Sequence, residues 1–361
     1  MKNCIFHIPW KPDEKQNVAP DIRVLKISNA LKLIGYEVEI IWGWGKKRAS
    51  RIKQVKNLIN KGVEFDFMYS ESSTYPTMLT EPHHLPTYPL LDFSFFNFCK
   101  KNKIPIGLFY RDVYWNSKEV MRFNILKQWY SIFFHILDIY LYNKLIDKLF
   151  IPHIKMRKYI SFLKSEMLYT NLYPGSDSIN SKLIFNNSIL YVGSVNPQLY
   201  DVSQMLKAFH KTDVKLILCC REREWILFKD YYNKYLSQNI EIIHLNRNSI
   251  KEIYQKISYS IIYLEPKIYR KFAMPFKLFE YLSYEKPIIT SKCTAVSEFV
   301  ELNDIGFPIN YDSTSLKQFL MNLPSKKEYK EKVENMKKII NENLWESRAK
   351  QIVQDLTSIK C

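Results

Sequence analysis

The sequence predicts an α/β chain of two domains, each built on a parallel sheet. Three observations lead there. Residues 3–42 run as a short apolar strand (3–8), a polar loop (11–20), a helix (21–34), a stop at Gly35 and a second strand (38–42). In that helix Ile22, Leu25, Ile27, Ala30, Leu31 and Ile34 form one apolar face. Strand, amphipathic helix, glycine and strand within about 40 residues make the βαβ opening of a Rossmann-like domain. Residues 170–181, TNLYPGSDSINS, are rich in turn formers and have no apolar period; the alternation restarts beyond them with SILYVG at 188–193. The length, 361 residues, suffices for two domains of ordinary size. The expected division is 1–172, 173–345 and a closing segment at 346–361.

In the first domain a basic helix over 48–61 precedes a strand at 65–69, FDFMY, which empties into SESSTYPTMLTEPHHLPTYP. A polar loop after a parallel strand lies at the carboxyl end of the sheet, where ligands bind. Glu71, Ser72, Ser73, Thr74, Thr80, Glu81, His83 and His84 cluster there. These groups suit hydrogen bonding to sugar hydroxyls, and they equally suit capping and turn formation. Adjacent His83 and His84 lack the spacing of metal ligands. A helix at 91–101 leads to an apolar strand at 104–110, IPIGLFY, with Arg111, Asp112, Tyr114 and Trp115 leaving its carboxyl end. Arg111 either keeps Asp112 ionised, pairs with a substrate phosphate, or forms a buried ion pair with Asp112. Residues 118–146 read as a long helix, apolar on most sides; a strand at 149–152 and a short basic helix at 154–164 follow. Residues 118–164 hold nine Lys or Arg against three Asp or Glu. Basic residues interleaved with aromatics suit an anionic lipid surface, while a core helix would use many of the same apolar positions.

The second domain continues with a helix at 202–210, a strand at 214–220 running into CCREREW, a strand at 240–245, a helix at 250–257 and a strand at 260–264. A segment at 296–302, a short strand at 307–309 and a mostly helical stretch at 326–360 complete it. The informative stretch is 263–290, YLEPKIYRKFAMPFKLFEYLSYEKPIIT. Pro275 suits a first helical turn, and Lys277 and Glu280 then share one helix face. Ile288 and Ile289 follow Pro287 as a buried parallel strand. Helix N-terminus, charged pair and strand edge suit a phosphate with a polar sugar attached.

Pro275, Lys277, Leu278, Glu280, Tyr281, Leu282, Lys286, Pro287, Ile288 and Ile289 spell P-x-K-L-x-E-Y-L-x-x-x-K-P-I-I. This resembles the donor-sugar motif of GT-B glycosyltransferases, in particular glycosyltransferase family 4. YVGS at 191–194 and FVELNDIG at 299–306 fit the same resemblance, and YSESSTYPTMLTE and GLFYRDVYW look like a bacterial subgroup that builds surface polysaccharides. The resemblance implies two Rossmann-like domains with parallel sheets facing across a cleft, and a last helix crossing back to the first domain. It implies a nucleotide-sugar site in the second domain, with Glu280 on the ribose hydroxyls and Lys277, Arg221, Ser194, Pro275 and Phe276 around a UDP- or GDP-sugar. It places an acceptor site in the first, drawn from Glu71, Ser72, Ser73, Thr80, Glu81, His83, Arg111 and Tyr114. Arg23, near the start of the first helix, reads either as a phosphate or acceptor contact or as a solvated surface residue. Asp112 stands where the family has a His or Asp facing the acceptor and anomeric carbon. Asp112, Lys277 and Arg221 are thus the catalytic candidates. The chain departs from the family pattern in three places. Phe272 replaces the first carboxylate of a Glu-x7-Glu pair, Asn196 and Gln198 stand where an Arg and a Lys hold the diphosphate, and the Gly pair after the first strand is missing. Arg221 is the replacement on the diphosphate, with Lys277 second; the other reading of Arg221 is an ordinary salt bridge.

Fifty-three Lys and Arg against 36 Asp and Glu give a formal charge of +17, which calls for an anionic partner: nucleic acid, a membrane face or a phosphorylated substrate. Neither GxGxxG nor GxxxxGKS occurs among only 8 glycines. Six scattered cysteines show no metal-ligand spacing and read as reduced thiols of a cytoplasmic protein. The apolar run in MKNCIFHIPW is too short for a signal peptide, and no long uncharged apolar stretch occurs. The resulting expectation is a retaining glycosyltransferase without metal or cofactor, since no DxD pair appears. It acts on a lipid-linked or growing glycan in surface polysaccharide biosynthesis, cytoplasmic and peripheral at the inner membrane face, with no nucleic-acid partner. Two alternatives stand beside it: a non-catalytic nucleotide-sugar-binding partner, and a basic nucleic-acid-binding protein.

Overall fold

The computed structural model describes residues 2–13, 18–116, 125–246 and 249–359. They form two compact units, Met1–Gly175 with Trp345–Cys361, and Ser176–Leu344. The centre of the loop expected at 11–20, the start of the helix expected at 118–146, and residues 360–361 lie outside the described residues.

The first unit runs β1 (Lys2–His7), α1 (Ala19–Leu33), β2 (Tyr36–Ile41), α2 (Gly45–Asn60), β3 (Phe67–Glu71), α3 (Leu91–Lys101), β4 (Ile106–Phe109), α4 (Ile125–Leu145), β5 (Lys148–Ile151) and β6 (Leu168–Asn171). Its sheet is parallel in the order β2-β1-β3-β4-β5-β6. The strand order reverses at β1, and a crevice forms where connections leave in opposite directions from the carboxyl ends of β1 and β3. The central strands β3 and β4 are buried throughout, as in a sheet covered by helices, and apolar except for Ser70 and Glu71 at the end of β3.

Four differences from the sequence reading have local causes. Strand β3 runs to Glu71, so Ser70 and Glu71 are the last rungs of the sheet, opposite Leu108 and Phe109, rather than loop. The basic stretch at 154–164 forms only a six-residue 3-10 segment, Ile154–Tyr159, because Ile160 is extended and Phe162 takes φ 63°. Its clustered cations have no acidic i,i+4 partners to favour a longer helix. Strand β6 falls partly in the expected linker; it is a half-exposed edge strand, too short to show an alternation. The basic helix expected from residue 48 begins at Gly45, and Arg48 within it is buried.

The second unit runs β7 (Ser188–Val192), α5 (Ser203–Phe209), β8 (Lys215–Cys219), α6 (Glu222–Tyr232), β9 (Ile240–Ile243), α7 (Lys251–Tyr254), β10 (Tyr259–Ile262), α8 (Phe276–Ser283), β11 (Ile288–Ser291), α9 (Ala295–Leu302), β12 (Gly306–Ile309), α10 (Ser313–Met321) and α11 (Lys326–Ile340). Its sheet is parallel in the order β12-β11-β10-β7-β8-β9, with the reversal at β7. Helices α6 and α10 were not expected. The first carries Glu222 and Glu224 in its opening turn, and Asp312 caps the second by accepting from Ser315 N–H at 2.7 Å.

Helix α12 (Trp345–Thr357) belongs to the first unit and packs on α1, β3 and β4. Gly107 of β4 has no side chain because one would collide: a Cβ there would lie 2.7 Å from Phe150 and 2.8 Å from Leu356 of α12.

Candidate functional site

In the second unit Lys277 and Ser194 come to the turn where β7 ends, at the strand-order reversal, while Arg221 stands at the end of β8. Pro275 is the N-cap of α8, with extended backbone, rather than part of its first turn. Two residues on, the Lys277 ammonium lies 4.3 Å from the centre of the Tyr191 ring. The chain turns at Gly193 (φ 157°), where a Cβ would meet the Tyr191 hydroxyl at 3.1 Å and Lys277 Nζ at 3.2 Å. A glycine there is what allows the cation to approach the turn so closely. The Tyr281 hydroxyl, one turn beyond Lys277, accepts from Val192 N–H at 3.0 Å and pins α8 to the end of β7. Tyr191 in turn donates to the Ser194 carbonyl at 2.6 Å. Burial, and then the nearby Arg270 cation, bring the Lys277 pKa down to about 7.

Glu280 is half-buried on the same helix. Its charge is the second cause, after burial, that pushes the Tyr254 hydroxyl up, and it acts on Tyr281 and Cys219 as well. The carboxylate therefore sits among Tyr254, Tyr281 and the end of β8. Ser194 donates its hydroxyl to Glu224 of α6. Arg221 is the exposed N-cap of α6, and among the described residues no carboxylate pairs with it. Pro275 and Phe276 are half-buried at the start of α8, and Phe272 is buried.

Sequence reasoning missed Arg270. Its Nη2 donates to the Leu199 carbonyl at 2.8 Å, and its guanidinium lies 4.6 Å from the Tyr200 ring. It stands seven residues before Lys277 in the stretch already singled out, but the tight turn Ile268–Lys271 that aims it carries no periodic signal.

In the first unit Glu71, Ser72, Arg111, Asp112 and Tyr114 come together at the carboxyl ends of β3 and β4. Glu71 is fully buried and accepts from Arg23 Nε at 3.0 Å and the Tyr69 hydroxyl at 2.8 Å. Ser72 Oγ accepts from Arg111 N–H at 3.1 Å. Asp112 accepts from the Thr74 hydroxyl at 2.9 Å and from Tyr114 N–H at 3.3 Å. Of the three readings of Arg111, the ion pair with Asp112 is not the one formed: Arg111 Nη2 lies 3.8 Å from Glu71 Oε2, and its guanidinium stacks 4.8 Å from the Trp10 ring. Burial outweighs both the Thr74 hydrogen bond and the Arg111 charge, so the Asp112 carboxyl is raised rather than lowered.

Five residues of the expected polar loop have other partners. Ser73 closes a local turn with Tyr75, and Thr80 donates to the Thr77 carbonyl. Glu81 accepts from Gly45 N–H at 2.7 Å, at the start of α2. His83 is exposed and accepts from Leu85 N–H, whereas His84 stacks on Tyr75 at 4.0 Å. Beneath the loop a second buried network ties β1 to α3, with His7 bonded to Ser70 and Asp92 at 2.9 Å each. Arg48 also reaches Asp92, at 2.8 Å, and donates to the Pro9 and Gly43 carbonyls.

Two parallel-sheet Rossmann-like domains, each with its polar cluster at the reversal of strand order, define the GT-B class of fold. Comparison with solved structures agrees. The chain is similar to Anabaena HepE in complex with UDP-glucose (11% identity, 99% of this chain and 100% of that one, TM-score 0.67). It is similar to a glycosyltransferase from Rickettsia africae (12%, 99% and 100%, TM-score 0.65) and to WaaG, a glycosyltransferase involved in lipopolysaccharide biosynthesis (13%, 99% and 100%, TM-score 0.62). No protein-family model and no curated protein sequence matches the chain.

Proposed function

We propose that the chain is a glycosyltransferase that moves a sugar from a UDP- or GDP-sugar to a lipid-linked or growing glycan, in surface polysaccharide biosynthesis. The observation that carries the reading is Lys277 on α8, held against the Gly193 turn at the end of β7, with Glu280 on the same helix. A cation beside a glycine turn receives a diphosphate, and a carboxylate three residues on receives two adjacent ribose hydroxyls. HepE, whose structure holds UDP-glucose, and WaaG, of lipopolysaccharide biosynthesis, lend support to the donor and pathway classes.

In the proposed reaction the bond from the anomeric carbon to the diphosphate oxygen breaks, and the acceptor hydroxyl oxygen bonds to that carbon. Lys277, Arg221 and Arg270 stabilise the charge on the leaving diphosphate. Asp112, whose raised pKa lies nearer neutrality than an ordinary carboxylate, takes or orients the hydroxyl proton. The reaction needs no metal in this reading, and retention of configuration rests on the family resemblance. Glu280→Ala is expected to weaken nucleotide-sugar binding by about ten- to a hundredfold, the worth of a charged hydrogen bond, with melting temperature kept. Calorimetric titration across a panel of UDP- and GDP-sugars measures it; unchanged affinity for every donor overturns the donor assignment.

The proposed place of action is the inner face of the cell membrane. Among the described residues no helix is long and apolar enough to cross a bilayer. Helix α4 instead exposes a stripe of Leu126, Trp129, Tyr130, Phe133 and Tyr140. Asn143 bonds the Phe162 carbonyl and Lys164 N–H, bringing exposed Phe162 and its basic neighbours to the end of that stripe. Aromatic side chains flanked by cations fit an anionic lipid interface. Sedimentation is expected to show binding to anionic vesicles that weakens with added salt, and weaker binding by Phe133→Ser. Equal binding to neutral vesicles would remove the electrostatic part.

A further inference from the structure

We propose that the first unit docks on an anionic bilayer through the carboxyl edge of its sheet, the edge that bears the acceptor cluster. The proposal rests on the reading of that unit as the acceptor domain, and it carries the lipid contact of α4 on to a second surface. In a parallel sheet each connecting helix runs back against the strands, so α2, α3 and α4 all begin at the carboxyl edge. Their beginnings are where apolar side chains stand exposed. Trp44 is the N-cap of α2, Leu90 is the N-cap of α3, and Trp129, Tyr130 and Phe133 lie in the first half of α4. The loop ahead of α3 adds Leu85 and Tyr88, and Leu85 and Leu90 are each more than half exposed. Tyr88 lies against Gly45, in space that a side chain there would need, and so joins this loop to the start of α2. Pro82, Pro86 and Pro89 stiffen the loop, so it has little freedom to lose on docking.

Helix α4 also outreaches the sheet. Its 21 residues span about 31 Å, against about 13 Å for the four residues of β4. Its far end is fixed at the opposite edge, because Asp147 N–H donates to the carbonyl of Ile106, the first residue of β4. His135 already stacks on Trp115, beyond the end of β4, and Asp138 accepts from Thr77 N–H, beyond the end of β3. The turns before them, with Trp129, Tyr130 and Phe133, therefore project past the strands.

The exposed charge at this edge has one sign. Segments 42–48, 72–92 and 125–138 contain three carboxylates, Glu81, Asp92 and Asp138, and all three are buried. Glu81 accepts from Gly45 N–H, and Asp92 is held by His7 and Arg48. The exposed Lys and Arg of these segments are Lys46, Lys47 and Lys127, and among the described residues no carboxylate pairs with them. Lys46 and Lys47 stand in the first turn of α2, where the helix dipole disfavours cations, and an anionic surface offsets that cost. Exposed apolar residues scattered singly are ordinary; gathered at one edge among cations, they fit the boundary between headgroups and acyl chains. Glu71, Arg111 and Asp112 lie on the same edge, so an acceptor anchored in the bilayer meets Asp112 at headgroup level.

The test reads which edge touches lipid. Leu85→Cys, Leu90→Cys, Phe133→Cys and Leu33→Cys are made one at a time in the full chain, with Cys293 and Cys361 replaced by serine, and each new thiol carries a bimane fluorophore. The vesicles contain phosphatidylglycerol and phosphatidylcholine with brominated acyl chains, which quench fluorophores at the boundary. Labels at 85, 90 and 133 are expected to be quenched severalfold; the label at 33, exposed at the end of α1 on the opposite edge, is expected to keep its emission. Either of 85 and 90 carries the test should the other variant not fold. Quenching at 133 alone confines the contact to α4 and overturns the proposal, and so does equal quenching at 33. Docking on no vesicle also overturns it and leaves this edge to a protein partner. Joint Lys46→Glu and Lys47→Glu substitution is expected to weaken binding to the anionic vesicles by about tenfold or more, and unchanged affinity overturns the proposal. Docking is read without donor or transfer. A wild-type chain that docks by this edge yet transfers no sugar would refute the glycosyltransferase reading and leave this surface standing.

Discussion

Lys277→Met is expected to lower sugar transfer by about a hundred- to a thousandfold, the loss seen when one group facing a developing oxyanion is removed. The side chain sits in a half-buried position against the Tyr191 ring and the Gly193 turn. There the screening that weakens surface charges is small, and methionine fills the same volume without the charge. Because burial brings its pKa to about 7 in the donor-free protein, the lysine is only partly charged at neutral pH. A diphosphate beside it favours the charged form and raises that pKa, so binding takes up a proton. The sign follows: donor affinity is full below neutrality and falls with rising pH, by about tenfold for each unit above the free-state pKa. Calorimetry in buffers of different ionisation enthalpy measures the proton uptake, and the Met variant should show neither the uptake nor the pH dependence. Transfer within a few-fold of wild type, or donor affinity that stays flat to pH 9, would take Lys277 out of the leaving-group site.

Asp112→Asn should leave melting temperature and donor affinity near wild type and reduce turnover by about a hundredfold or more, the range of general-base effects. Both carboxylate oxygens are bonded, one by the Thr74 hydroxyl and one by Tyr114 N–H. Asparagine keeps the acceptor for Tyr114, and the rotatable Thr74 hydroxyl can accept from the new amide. The loop is therefore expected to hold its shape while the proton acceptor is lost. Melting temperature, donor affinity and turnover on one purified variant decide between roles. A stability loss matched by a proportionate loss of activity would assign Asp112 to the loop alone, and near-normal turnover in a stable variant would remove it from the catalytic group.

The sheets and most helices could be read from the sequence because their signals are local: apolar runs for buried strands, apolar faces for helices, and Pro275 ahead of α8. What could not be read depends on distant partners. Glu71 looks like a loop carboxylate until β3 is seen to continue beside β4, which makes it the end of a central strand. Arg111 looks like the partner of its neighbour Asp112, but the chain turns after β4 and sends the two side chains to different groups, Glu71 and Thr74. Arg348, more than 300 residues from Arg23 in sequence, reaches the same cluster because α12 packs on α1. Ser73, Thr80 and Glu81 have the right chemistry for an acceptor site and also serve turns and a helix start, which only backbone geometry reveals.

The return of α12 to the first unit has a consequence for how the protein is made. A ribosome delivers the chain from its amino end, and domains fold as their residues emerge. Here the first unit to emerge is the last to be completed. Residues 1–175 must wait through the synthesis of the whole of Ser176–Leu344 before Trp345–Thr357 arrives to cover α1, β3 and β4. During that interval the surface around Gly107 that receives Leu356 stands open, and contacts of such long sequence separation form slowly. The second unit, continuous in sequence, has no such delay. Its folding also sets how far the final helix must travel, so the nascent first unit depends on the second before either has met a substrate.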